Sequence, residues 1–157
     1  MARPPSRRTA SVSEPVVVDA SVVVKWFNRG EAYEKEAIVL RNAWGRAAIV
    51  LYAPELLQFE VANAIWKNPK IDEPGARMMA RLAIRLTPLP LGLTENLAEE
   101  SMQMARTTNL TYYDTVYIAL ARSSGYPLIT ADAQQLAVAR RYARALHIAE
   151  VGRITEG

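Results

Sequence analysis

The chain has 157 residues, half of them hydrophobic and 22% charged, which fits one soluble globular domain with a sizeable core. The absence of cysteine excludes disulfides, zinc–thiolate sites, iron–sulfur clusters and a thiol nucleophile, and it suits a cytoplasmic protein. The net charge of +3 is mostly local: without Arg3, Arg7, Arg8 and Glu14 the chain carries 16 basic against 15 acidic residues, so net charge is no argument for nucleic-acid binding. Arginine outnumbers lysine 15 to 4, a composition suited to bidentate phosphate contacts and equally to a compositional bias.

Residues 1–14, with Pro4, Pro5 and several serines, read as a disordered basic leader without the apolar core of a signal peptide. A folded domain is expected over 15–151 and a tail over 152–157. "PVVVD" (15–19) has the β-branched run of a buried strand. "ASVVVKWFN" turns into a short helix, and "EAYEKEAIVLRNAWGR" (31–46) continues with helical spacing. "AIVLYA" (48–53) is a second strand, and "PELLQFEVANAIWKN" begins a helix with Pro54 at its first position. Residues 72–86 form another helix, and "TPLPLG" (87–92) is an extended piece whose prolines suit a sheet edge. Helices over 94–109 and 111–125, a strand at 126–130, a helix over 131–145 and an edge strand at 146–151 complete the order. No stretch reaches the roughly 20 apolar residues of a membrane span. Short apolar strands alternating with helices predict a parallel sheet covered on both faces, an α/β fold. Ligands of such folds bind beyond the carboxyl ends of the strands.

Four acids stand out in that frame. Asp19 and Asp132 each follow a strand and precede a helix; a helix N-cap explains either one alone. Asp114 completes a capping-box pattern with Thr111, yet it also shares a stripe with Tyr117, Ile118 and Ala121. Glu60 lies in mid-helix beside Leu56, Leu57, Asn63 and Ala64, where a partly buried glutamate at the edge of a packed face is the ordinary explanation. Together the four suggest more. Carboxylates that converge without basic partners repel one another, and a hard cation with oxygen ligands, Mg²⁺ or Mn²⁺, relieves that repulsion.

The stretches "VVVDASVVVKWF", "PELLQFEVANAIW", "YYDTVYIALARSSGYPLITAD" and "QQL" resemble PIN-domain ribonucleases, in particular the VapC-type toxins of toxin–antitoxin pairs, over about residues 15 to 150. The resemblance implies a three-layer α/β/α sandwich around a mostly parallel five-stranded sheet and a Mg²⁺- or Mn²⁺-dependent endoribonuclease site. Asp19, Glu60, Asp114 and Asp132 match the family's four acidic positions. Ser21 and Thr130 match positions where a hydroxyl supports a carboxylate or a bound water; capping and strand-end hydrogen bonding explain them equally well. The resemblance also implies an RNA substrate, a cognate antitoxin and a homodimer.

The expected roles are Asp19, Asp114 and Asp132 on one or two cations and Glu60 on the attacking water. His147, the single histidine, is read as structural, and a histidine-pair ribonuclease is excluded by count. Lys25 is a solvated helix lysine, or reaches a phosphate or a site carboxylate. Arg122, Arg140, Arg141 and Arg144 are solvated charges or an RNA track. Trp26, Trp44 and Trp66 are core or interface aromatics, and Tyr112 and Tyr113 suit a dimer or antitoxin surface. Two rival readings are a non-catalytic binding module and an aspartyl-phosphate phosphatase. Ser21 counts against the second, whose chemistry commonly places a second acid two residues after the nucleophile.

Overall fold

Val16, Val17 and Val18 are wholly buried in strand β1 (Glu14–Val18), the centre of the sheet. A strand covered on both faces tolerates no alternation of polar residues, which is why this run is continuously apolar. The computed structural model describes residues 14–155. The expected leader at 1–14 lies outside the described residues except for Glu14, which belongs to β1 instead; residues 156–157 of the expected tail lie outside them too. Helix α1 (Ala20–Val23) and a 3-10 turn at Val24–Trp26 follow β1, then α2 (Glu34–Gly45) and β2 (Ile49–Pro54). Helices α3 (Leu56–Lys67) and α4 (Glu73–Arg85) lead to β3 (Leu89–Leu91). Helices α5 (Glu95–Thr107) and α6 (Tyr112–Ser124) lead to β4 (Leu128–Thr130), and α7 (Ala133–Ala139) leads to β5 (Ala145–His147). A 3-10 turn at Ile148–Glu150 and α8 (Gly152–Thr155) close the described chain.

The five strands lie in the order β3-β2-β1-β4-β5, every neighbouring pair parallel. From β1 the chain steps outward to β2 and β3, then crosses back to β4 and β5. Right-handed crossovers in opposite directions put their helices on opposite faces, which gives three layers. Helix α2 packs on β2, α6 lies over β1, β2 and β4, and α7 packs on β4 and β5. The strand order reverses between β1 and β4, and the residues just past both strands therefore flank one crevice.

Several boundaries differ from the sequence reading for identifiable reasons. Pro54 ends β2 instead of opening a helix, because the strand continues far enough to pair with Leu91 of β3. Helix α7 stops at Ala139, six residues early, because the chain must turn at 140–144 to enter β5 in register with β4. Gly152–Thr155, expected within a tail, form α8, which packs on α2 and buries Ile154. The edge position expected for the proline-bearing 87–92 segment holds for β3: Pro90 has no N–H to offer a further strand. Gly125 ends α6 at φ 73°, a left-handed conformation that glycine adopts without a Cβ penalty. Trp26 and Trp44 stack with centroids 5.7 Å apart, whereas Trp66 is 76% exposed. Among the described residues no helix is long and apolar enough to cross a membrane.

Candidate active site

Asp19 is the first residue past β1 and is 5% exposed. Its N–H donates to the Ile129 carbonyl at 2.9 Å, which extends the β1–β4 pairing into the crevice. Its Oδ2 accepts the Ser21 N–H at 2.9 Å, an ordinary N-cap of α1. Its Oδ1 accepts the Gln135 side-chain Nε2–H from α7 at 3.0 Å. Among the described residues no lysine or arginine forms an ion pair with Asp19, Glu60, Asp114 or Asp132. Burial pushes the Asp19 carboxyl up from its ordinary value against the pull of its hydrogen bonds, and the Asp114 charge adds to the rise.

Glu60 reaches the same region from α3. Its Oε2 accepts the hydroxyl of Tyr117, a wholly buried residue of α6, at 2.5 Å. Burial raises the Glu60 carboxyl to about 7, with further increments from Asp19 and Asp114, while the Tyr117 hydrogen bond opposes the change. Burial and the same three carboxylates push the Tyr117 phenol far upward, so it stays protonated and remains a donor. Asp19, Glu60 and Asp114 thus act on one another as charges.

The other two acids are occupied at helix ends. Asp114 closes the capping box expected from the sequence: its Oδ2 accepts the Thr111 hydroxyl at 2.8 Å and the Thr111 N–H at 3.3 Å. Asp132 is exposed and caps α7, with Oδ1 accepting the Gln135 N–H at 2.7 Å. Among the described residues no three acidic or histidine side chains stand close enough to form a ready metal cluster. The donor set nevertheless suits a hard divalent ion: it consists of carboxylate oxygens, it is partly desolvated, and it pairs with no described base.

Ser21 and Thr130 support this arrangement. Ser21 Oγ accepts the Ala131 N–H at 3.0 Å and lies 3.2 Å from Thr130 Oγ1. Thr130, wholly buried, gives its hydroxyl proton to Gln135 Oε1 at 2.6 Å and accepts the Asp132 N–H at 3.0 Å. Beside Ser21 and Glu60 opens a cavity of about 670 Å³ whose rim carries Phe59, Asn63 and Tyr113. Phe59 and Tyr113 are 77% and 60% exposed.

Two residues of the site escaped the sequence reading as participants. Tyr117 entered that reading only through the stripe it shares with Asp114, and Gln135 was assigned no role. Other candidates are committed elsewhere. Lys25 pairs with Glu31 at 3.1 Å and has 10% of its side chain exposed, so it is not the solvated lysine expected. Arg122 pairs with Glu100 at 3.2 Å, Arg140 with Glu150 at 3.3 Å and Arg144 with Glu14. Arg141 lies over the Tyr142 ring. Arg140, Arg141 and Arg144 follow the end of α7, so the basic helix surface and the helix-dipole position expected for Arg144 do not form. His147 accepts the Ala149 N–H at 3.1 Å and meets Tyr33 edge-on, a structural role as expected.

Acidic side chains stand at the switch point of a five-stranded parallel sheet, and the chain matches the PIN domain over residues 16–141. The chain belongs to the PIN domain family. Ribonuclease VapC1 of Mycobacterium tuberculosis is 33% identical over 123 residues, covering 75% of this chain and 86% of that protein. Ribonuclease VapC3 of Pyrobaculum aerophilum is 26% identical over 123 residues, covering 76% and 90% respectively. The crystal structure of PAE2754 from Pyrobaculum aerophilum superposes with a TM-score of 0.66 at 24% identity, over 94% of this chain and 99% of that one. That of FitAcB from Neisseria gonorrhoeae gives 0.61 at 14% identity, over 85% and 98%. These two likenesses establish the shared fold.

Proposed function

We propose that this chain is a VapC-type endoribonuclease, the toxin of a toxin–antitoxin pair, and that it hydrolyses RNA phosphodiester bonds with Mg²⁺ or Mn²⁺. The observation that carries this reading is Asp19: a buried carboxylate at the β1–β4 crevice, sharing its field with Glu60 and Asp114 and paired with no described base. The VapC relatives support RNA as the substrate.

Asp19 and Asp114 would hold the cation, with Asp132 at the margin of the site. When bound, the divalent ion offsets the clustered charge and supplies Lewis-acid assistance to in-line attack at phosphorus. The chain's own residues do the rest. Glu60, whose carboxyl is held above its ordinary value chiefly by burial, takes a proton from the attacking water. The Tyr117 hydroxyl holds one Glu60 oxygen and leaves the other free to face the water. The new P–O bond forms as the bond to the 3′ oxygen breaks, and that oxygen takes a proton from solvent water and leaves as a hydroxyl, so the products carry 5′-phosphate and 3′-hydroxyl ends. The cavity beside Glu60 has exposed Phe59 and Tyr113 at its rim, which suits bases of a single strand lying against aromatic faces.

A cognate antitoxin and a second copy of the chain are the protein partners we propose. Exposed Phe59 and Trp66 on α3, with Met78 and Ile84 on the adjoining α4, offer the apolar area that such partners cover. We propose domain limits of 15–151 for the nuclease unit, extended by α8 to residue 155.

The decisive assay incubates purified wild type and Asp19→Asn with a mixed end-labelled RNA pool in Mg²⁺, Mn²⁺ or EDTA. Cleavage that requires both a cation and Asp19 and leaves 5′-phosphate ends is the expected result. Cleavage that persists in EDTA, or in a folded Asp19→Asn variant, overturns the reading.

A further inference from the structure

Gln135 stands at the third position of α7, three residues after the capping Asp132. A glutamine there ordinarily reaches back to the backbone N–H of the cap residue, completing a capping box. Here that N–H is already bonded, by Thr130 Oγ1 at 3.0 Å. The Gln135 amide is thereby released from its helix, and it turns inward, wholly buried.

Its three side-chain contacts fix its orientation. Nε2 donates to Asp19 Oδ1 at 3.0 Å and to the Asp114 backbone carbonyl at 3.2 Å, while Oε1 accepts the Thr130 hydroxyl at 2.6 Å. A carboxylate and a carbonyl can only accept, so the NH₂ must face them and the carbonyl oxygen must face Thr130. Both amide protons are committed, one to each of two elements that carry acids: the end of β1 and the start of α6. No other described side chain bonds to both.

We infer that Gln135 is a positioning residue that sets the spacing between Asp19 and Asp114 and presents Asp19 in one orientation to the cation. The inference rests on the metal-site reading above. Asp19 Oδ2 is held by its own helix through Ser21, and Oδ1 is held by Gln135. The carboxylate is therefore held through both oxygens, with Thr130 Oγ1 also 3.4 Å from Oδ2, and each oxygen keeps lone-pair capacity for a cation. The backbone bond anchors Asp114 by the same nitrogen. Groups that orient a metal ligand in this way matter to the affinity for the ion even though they never touch it.

Mn²⁺ alone is the probe, with thermal unfolding of the purified chain as the readout. Wild type, Asp19→Asn and Gln135→Met are compared; methionine keeps the length of the side chain and removes every hydrogen bond. Wild type is expected to be stabilised by Mn²⁺ and Asp19→Asn not. Gln135→Met should need about 10- to 100-fold more Mn²⁺ to reach its half-maximal rise in Tm. A role confined to folding would lower the metal-free Tm and leave that midpoint in place.

A wild-type midpoint in Gln135→Met, with binding lost in Asp19→Asn, overturns the role of Gln135 and leaves the metal site standing. A wild type that Mn²⁺ does not stabilise overturns both. If Gln135→Met does not fold, the side-chain amide protons of Gln135 in isotope-labelled wild type decide the matter. Saturable shifts on adding Mg²⁺ support the inference, and signals that Mg²⁺ leaves unmoved overturn it.

Discussion

Asp19 and Asp132 occupy equivalent places in the two halves of the sheet. Each follows the last residues of a buried parallel strand, and each caps the helix that begins there. Their surroundings are opposite. Asp19 is covered by the first turns of α6 and α7 through the Gln135 amide and is 5% exposed, whereas Asp132 is exposed and bonds within its own helix. The same local pattern of strand, aspartate and helix therefore yields a desolvated charge in one place and a surface cap in the other. What distinguishes them is the neighbouring element that packs across the crevice. A cap is a local property of a sequence, but desolvation is not.

That contrast predicts unequal losses when each charge is removed by an isosteric amide. Asp19→Asn is expected to lower the cleavage rate by at least about a hundredfold, because the desolvated carboxylate is the one that a cation relieves. Asp132→Asn, which keeps the cap because asparagine caps as well as aspartate, is expected to cost about tenfold, the loss typical of a group acting from outside the first ring of ligands. Single-turnover cleavage at saturating cation measures both. Equal losses would break the contrast and move Asp132 into direct contact with the ion.

Glu60 extends the comparison to stability. Its carboxyl rises from an ordinary 4.5 to about 7 on folding. Between those values the folded chain holds more protons than the unfolded one, so stability falls as pH rises from about 4.5 to about 7 and then levels off. Asp19 contributes with the same sign. Glu60 is only half-buried, and solvent screening brings the expected penalty above pH 7 to about 1–2 kcal/mol. Glu60→Gln should remove that penalty, raising metal-free stability at pH 8 while leaving it nearly unchanged at pH 4. Urea unfolding in EDTA at the two pH values measures this. A Glu60→Gln variant that is destabilised equally at both would show that the Tyr117 hydrogen bond outweighs the charge.

Much of this arrangement was legible before the structure. The valine run of β1, the proline-bearing edge strand and the strand–helix alternation follow from burial on both faces of a parallel sheet and from the missing N–H of proline. The four acids were legible only as a set, because a cap explains Asp19, Asp114 and Asp132 singly. What a linear reading lacked was the partner of each acid. Gln135 drew no role from the sequence, because nothing in a linear reading shows that the Thr130 hydroxyl satisfies the cap N–H and leaves the Gln135 amide to turn inward. Tyr117 entered only through the stripe it shares with Asp114; the hydroxyl that reaches Glu60 depends on how α3 crosses α6. The arginines after Ala139 were drawn onto a helix by propensity, but the register of β5 against β4 ends that helix first.

The smallest effect tests whether Asp132 is chiefly a cap. Asp132→Ala removes the acceptor for the Gln135 N–H and leaves the first turn of α7 one bond short, at a cost of about 1 kcal/mol. Asp132→Asn should cost only a few tenths of that, since its side-chain oxygen still accepts. The gap between the two variants in urea unfolding isolates the cap from the charge. Because Gln135 is the N–H partner of Asp132 and also the amide that holds Asp19, a loosened cap should reach the buried site as well. Asp132→Ala is therefore expected to raise the Mn²⁺ concentration needed for half-maximal thermal stabilisation more than Asp132→Asn does. If the two variants differ in stability but share one Mn²⁺ midpoint, α7 transmits nothing from its surface cap to the crevice, and the two aspartates are independent despite the residue between them.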